Sequence, residues 1–135
     1  DEKDEKKLQL KGEKDSVCWH DYFWAKNTQY RMAEGGWFSY VMQIDKKETK
    51  PYNLICRFWG DESGANQFDI FIDDDYLCTV SLNRKLHLTY VDDIFPLPAE
   101  WTRGKDKVKV TFRADSGKKA GGLYGLKITS DVNYR

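Results

Sequence analysis

Apolar and polar residues alternate with a period of two in several short stretches of the chain. Within residues 37–44, Phe38, Tyr40, Met42 and Ile44 share one face, and Trp37, Ser39, Val41 and Gln43 share the other. Tyr52, Leu54, Cys56 and Phe58 alternate with Asn53, Ile55, Arg57 and Trp59. Phe68, Ile70 and Ile72 alternate with Asp69, Phe71 and Asp73. The cleanest case is residues 107–114, where Val108, Val110, Phe112 and Ala114 alternate with Lys107, Lys109, Thr111 and Arg113. Successive side chains on a strand point to opposite faces, so each stretch predicts a half-buried strand.

Turn-forming residues separate these stretches. Residues 46–51 are polar and end in Pro51, and residues 60–67 contain Gly60 and Gly64. Asp73-Asp74-Asp75 predicts a tight turn, because Asp tolerates left-handed backbone better than most residues. Residues 117–122 carry Gly117, Gly121 and Gly122 ahead of a last strand over 123–128. Pro96 and Pro98 rule out a central strand there, and Pro98 opens one helical turn over 99–103. No amphipathic helix of three turns is present. About eight strands at ~8–12-residue spacing predict an all-β fold, an antiparallel β-sandwich. A jelly roll is preferred, and an immunoglobulin-like sandwich is the alternative. Residues 1–14 are charged and read as a flexible lead-in; residues 15–135 read as one sandwich domain.

Composition narrows the function. The chain has 135 residues, 22 Lys+Arg and 22 Asp+Glu, for a formal charge of +0. A protein that grips nucleic acid by bulk charge shows a basic excess, so no nucleic-acid partner is expected. A polybasic membrane anchor is excluded on the same ground. No apolar run approaches the ~18 residues of a membrane-spanning helix. The chain opens Asp1-Glu2-Lys3-Asp4 with no signal peptide, which reads as a cut from a longer protein or a processed product. Cys18, Cys56 and Cys78 show no CxxC spacing. They read as buried, free thiols, with one disulfide plus one free thiol as the alternative.

Candidate chemistry is sparse. His20 and His87 are the only histidines. His20 and Asp21 are adjacent and point to opposite faces if extended; Cys18 and His20 share a face, with ordinary packing as the competing reading. No GxSxG occurs. Asp61 with Glu62, Asp73–Asp75, and Asp92 with Asp93 offer paired carboxylates, but all are expected in solvated turns or loops. A structural Ca²⁺ in an irregular loop is the alternative reading of these aspartates; the spaced ligand pattern of a calcium loop is missing. Gly121-Gly122-Leu123-Tyr124-Gly125 lacks the Lys-Ser/Thr of a phosphate loop, and its glycines suit a bulge or a close backbone approach. No catalytic residue, metal or cofactor is expected.

The five tryptophans, Trp19, Trp24, Trp37, Trp59 and Trp101, exceed what a core requires. An exposed ring beside Arg, Asn or Asp suits a sugar, whose C–H face stacks while its hydroxyls take directed hydrogen bonds. The competing reading is that these rings fill the outer face under a loop or dock on another domain. Two surfaces qualify: the non-core face with Trp37, Arg57 and Trp59, and an irregular segment over 20–30 with Tyr22, Trp24 and Tyr30. The carbohydrate-binding candidates are His20, Tyr22, Trp24, Arg57 and Trp59. Tyr40 and Arg31 are expected to be structural.

Specific residues carry a family resemblance. Arg31-Met32-Ala33-Glu34-Gly35-Gly36-Trp37-Phe38-Ser39-Tyr40 resembles an R-x-A-x-x-G-W-F-S-Y signature. Phe58-Trp59-Gly60-Asp61 and Phe68-Asp69-Ile70-Phe71-Ile72-Asp73-Asp74 resemble Y-W-G-D and F-D-I-x-V-D-G segments. Phe95-Pro96-Leu97-Pro98, Gly104-Lys105, the strand 108–114 and the run 120–128 resemble the closing strands. Over about residues 16–130 these are similar to the C-terminal β-sandwich of bacterial β-L-arabinofuranosidase-type proteins, glycoside hydrolase family 127 and relatives. The pattern departs at Phe58, often Tyr, and at Asp74, often Gly, which bears on the turn geometry. The resemblance implies a non-catalytic accessory domain of a larger polysaccharide-degrading protein, periplasmic or secreted. It would pack on the catalytic domain of its own parent chain, or hold a plant or host glycan as a carbohydrate-binding module. The family's zinc and glutamate lie upstream and do not map here.

Overall fold

The computed structural model describes residues 11–12, 16–21, 28–62, 66–82 and 84–131, with side chains described at 31–33, 35–58, 66–82, 89–120 and 122–131. Ten strands follow in order: β1 (Lys11–Gly12), β2 (Ser16–Asp21), β3 (Thr28–Glu34), β4 (Trp37–Gln43), β5 (Asn53–Glu62), β6 (Gln67–Ile72), β7 (Asp75–Ser81), β8 (Arg84–Pro96), β9 (Lys107–Arg113) and β10 (Lys119–Thr129). The only helical element among the described residues is a 3-10 turn, Ala99–Trp101, preceded by Pro98.

All pairings between these strands are antiparallel. The first sheet has the order β1-β4-β9-β6-β7 and the second β2-β3-β10-β5-β8. Set aside β1 and β2, and β4-β9-β6-β7 faces β3-β10-β5-β8, the eight-strand double Greek key of a jelly roll. The preferred sandwich subtype is therefore the fold, and the immunoglobulin-like order is not. β1 and β2 each extend one edge. Lys11 and Gly12, within the stretch expected as a lead-in, pair with Ser39 and Phe38.

The predicted inward faces form the core. Phe38, Tyr40 and Met42 on β4, and Val108, Val110 and Phe112 on β9, meet Leu54, Cys56 and Phe58 on β5. Phe112 stacks on Phe38 at 5.1 Å and tilts against Phe68 at 6.1 Å. Phe68 in turn touches Phe58 of the opposite sheet at 5.8 Å. Tyr40 is buried, as its face predicts. Cys56 is a buried free thiol and Cys78 a half-buried one.

Two features differ from the pattern reading. β8, a thirteen-residue edge strand, carries no continuous period-2 alternation of apolar residues. Val91, Asp93 and Phe95 continue one face while Tyr90, Asp92 and Ile94 make the other, so the apolar residues do not stay on one parity. An edge position tolerates this, and also Pro96 at the strand's end. As a result Asp92 and Asp93 lie within a strand rather than a loop, as do Asp61 and Glu62 on β5. Adjacent strand residues face opposite sides, so Asp92 and Asp93 do not form a side-by-side carboxylate pair; the Asp61 and Glu62 side chains lie outside the described residues.

The predicted Asp turn is present between β6 and β7. Asp73 has φ +53°, so the left-handed position is residue 73 and Asp74 needs no glycine. Its backbone N–H donates to the Lys109 carbonyl at 2.7 Å, and its carboxylate accepts the Lys109 N–H at 3.0 Å and the Lys105 ammonium at 2.6 Å. Asp73 is thus paired with Lys105, and the exposed Asp74 has the Lys109 ammonium at 3.6 Å. At the β3–β4 turn, Gly35 has φ +61°, and a Cβ there would also press on Ser116 at 3.4 Å.

Candidate functional site

The described residues with the strongest convergence of ring, cation and carboxylate lie on the outer face of the second sheet. β5 runs between β10 and β8 there, so its outward side chains have neighbours on both sides. Arg57 pairs in register with Asp92 on β8 and Gly125 on β10. The guanidinium meets Asp92 as a two-pronged fork, Nε to Oδ1 at 2.8 Å and Nη2 to Oδ2 at 3.1 Å. Both side chains remain accessible, 53% for Arg57 and 30% for Asp92. The Arg57 hydrogen bond and charge hold the Asp92 carboxyl below its usual value, and Asp92 in turn raises the basicity of Arg57.

Local backbone geometry builds this arrangement. The register of β10 against β5 shifts between Leu123 and Gly125. Leu123 stays buried opposite Phe58, while Tyr124 is the extra residue of a bulge, the device that re-aims a side chain. Tyr124 meets Tyr90 of β8 edge-to-face, with ring centroids 5.2 Å apart. The Arg57 guanidinium carbon lies 5.9 Å from the Tyr90 ring centre, close enough for a cation–π contact. A Cβ at Gly125 would stand 3.3 Å from the Arg57 Cβ and 3.9 Å from its Cδ, so the glycine leaves room for the arginine stem. The glycines expected to serve a bulge thus lie in one.

The sequence candidates are distributed as follows. Arg57 is at the centre of this cluster. Trp59 is two residues along β5, paired with Tyr90, and its side chain lies outside the described residues. His20 is on β2, the far edge strand of the same sheet, paired with Gln29. Three strand spacings separate it from β5, roughly 14 Å. Tyr22 and Trp24 lie outside the described residues. The segment 20–30, expected to be irregular, is instead partly a strand pair: Asp21 ends β2 opposite Thr28, which begins β3. Trp37 is not on the face of Arg57 and Trp59 as grouped from sequence. It sits on β4, in the first sheet, whose outer face is the opposite side of the sandwich. Alternation assigns a face of a strand; which sheet the strand joins depends on long-range pairing.

Tyr90, Asp92, Tyr124 and Gly125 are not among the carbohydrate-binding candidates read from the sequence. Tyr90 follows the alternating Leu86 and Leu88, a signal for a strand, but nothing local shows that Asp92 meets Arg57.

A second ordered surface lies on the outer face of the first sheet. Tyr76, 55% exposed, packs edge-to-face on Phe71 at 6.0 Å. Its hydroxyl shares a 2.7 Å hydrogen bond with Thr79, which donates to Asp69. Among the described residues no three His, Cys, Asp or Glu side chains converge as a metal site needs.

A model described as "Family of unknown function (DUF6805)" matches residues 23–129. The chain belongs to this family. No curated protein matches the chain in sequence. Among the solved structures that resemble the DUF6805 domain in fold are two carbohydrate-related ones. One is the C-terminal CBM6 of LamC, a marine laminarinase from Zobellia galactanivorans, with a TM-score of 0.55 and 15% identity over 85% of this chain and 88% of that one. The other is a Paenibacillus cycloisomaltooligosaccharide glucanotransferase complexed with cycloisomaltoheptaose, with a TM-score of 0.53 and 12% identity. There the match covers 84% of this chain but 16% of the enzyme, so the DUF6805 domain corresponds to a small part of it. At these identities the likeness establishes the β-sandwich, not the ligand.

Proposed function

We propose that this domain is a non-catalytic carbohydrate-binding module within a larger polysaccharide-degrading protein, and that the outer face of its second sheet is the glycan platform. The observation that carries this reading is the pairing of the Tyr90 and Tyr124 rings beside the Arg57–Asp92 fork. Rings on a strand face supply an apolar stacking surface, and the fork supplies a fixed donor and acceptor for vicinal hydroxyls. The carbohydrate-binding and glycan-acting neighbours support the reading at the level of fold. The resemblance to β-L-arabinofuranosidase-type proteins points to a secreted or periplasmic parent.

A second reading, an accessory domain seated on its parent's catalytic domain, draws on the exposed Tyr76 and its partner Phe71 on the opposite sheet. The two roles use opposite sides of the sandwich, so one domain can serve both. Isothermal titration of the chain against xylo-, gluco- and arabino-oligosaccharides tests the first. Binding is expected, and Tyr90→Ala or Tyr124→Ala should weaken it at least about tenfold, ~1.4 kcal/mol. Absence of binding to every glycan, or binding indifferent to both variants, overturns the platform.

A further inference from the structure

We infer that the Arg57–Asp92 fork makes this platform selective for uncharged glycans and excludes uronate-containing ones. The inference rests on the glycan-binding reading and concerns the ligand class of that same site. An exposed arginine on an aromatic floor is, by itself, a good receptor for a carboxylate, because guanidinium and carboxylate match as a two-pronged pair. Here that match is already made inside the protein. Nε and Nη2 of Arg57 are both directed to Asp92, at 2.8 and 3.1 Å. A uronate has two choices: it displaces Asp92, or it approaches the remaining guanidinium edge with the Asp92 carboxylate beside it, at a cost in like-charge repulsion.

A neutral sugar meets no such penalty. One hydroxyl can accept from the free Nη1 edge while its neighbour donates to a lone pair of Asp92, which is 30% accessible. The geometry that aims the pair outward is also fixed. The arginine stem lies over Gly125, and its head lies beside the Tyr90 ring. The fork is therefore preorganised on the ring surface. A second cation on β10, Lys127, is paired in register with Ile55 rather than Arg57. The Arg57 hydrogen bond and charge hold the Asp92 carboxyl down against the opposing effect of burial.

The test compares neutral with acidic oligosaccharides of matched length, by isothermal titration at low and high salt. Xylo- and gluco-oligosaccharides serve as the neutral probes and oligogalacturonate as the acidic one. The wild-type chain is expected to bind a neutral probe with little salt dependence, and oligogalacturonate at least about tenfold more weakly. Asp92→Asn removes the competing carboxylate and should strengthen oligogalacturonate binding at low salt by about tenfold, an effect that high salt abolishes. Lys127→Gln should leave the neutral-to-acidic ratio of the wild type unchanged. Wild-type binding of oligogalacturonate as tight as that of neutral probes overturns the selectivity while leaving the glycan platform standing. A ratio set by Lys127, or an Asp92→Asn variant that gains nothing for the acidic probe, also overturns it. Failure to bind any probe removes both the platform and the inference.

Discussion

Phe112→Ala is the sharpest test of the packing that supports the platform. Phe112 is fully buried near the C-terminal end of β9, between Phe38 at 5.1 Å and Phe68 at 6.1 Å. Phe68 leads on to Phe58, the chain neighbour of Arg57. Truncating a buried ring costs about 3–5 kcal/mol, since the surrounding core closes the cavity only in part. Total stability of a domain is about 5–15 kcal/mol, so the variant should still fold at low temperature but with a large loss. Unfolding entropy of ~2.1 cal/mol/K per residue gives about 0.28 kcal/mol/K for a chain of this length, so ~4 kcal/mol corresponds to a fall in Tm of about 14 °C. Thermal denaturation followed by circular dichroism reads this directly, with Phe112→Leu expected to lose much less. Tyr90→Ala in the same assay should shift Tm far less, because Tyr90 is only half-buried on the outer face. A Phe112→Ala shift below about 4 °C would refute the close-packed aromatic core assigned between the sheets.

Further expectations concern charge and thiol chemistry. Burial opposes ionisation of Asp73, but the Lys105 ammonium, the Lys109 N–H and both lysine charges outweigh it and hold its carboxyl below the usual aspartate value. A depressed carboxyl contributes stability above its unfolded value and loses it as pH falls through the folded one. The Tm advantage of wild type over Asp73→Asn, which keeps a residue tolerant of φ +53°, should therefore hold near neutral pH and close below about pH 4. An advantage that grows on acidification would contradict the clasp. Burial, with a smaller contribution from Asp93, pushes the Cys56 thiol well up, so iodoacetamide should label it only on unfolding. Mass-spectrometric detection of native-state labelling at Cys56 would show that the core there is open.

Phe38, Tyr40 and Met42, and Val108, Val110 and Phe112, announce their strands and their buried faces through period-2 alternation. That signal is local, because the pleat alone decides which side chains share a face. The Asp73 turn and the glycines at 121–125 are legible for the same reason, since their backbone requirements belong to the residues themselves. β8 was not legible, because its apolar residues change parity where an edge strand permits it.

The candidate site is a matter of pairing over distance. Arg57 and Asp92 are 35 residues apart in the chain, and Tyr90 and Tyr124 come from strands that flank β5 on opposite sides. Their meeting requires the jelly-roll strand order, a particular register and a bulge at Tyr124 that brings Gly125 opposite Arg57. Trp37 and Arg57 show the converse: both are outward by alternation, yet strand pairing sends them to opposite sides of the sandwich. The sequence by itself determined the strands, their inward faces and the turns, because these depend on neighbours along the chain. Only the tertiary structure decided which outward side chains stand together, because that depends on which strands are neighbours in space.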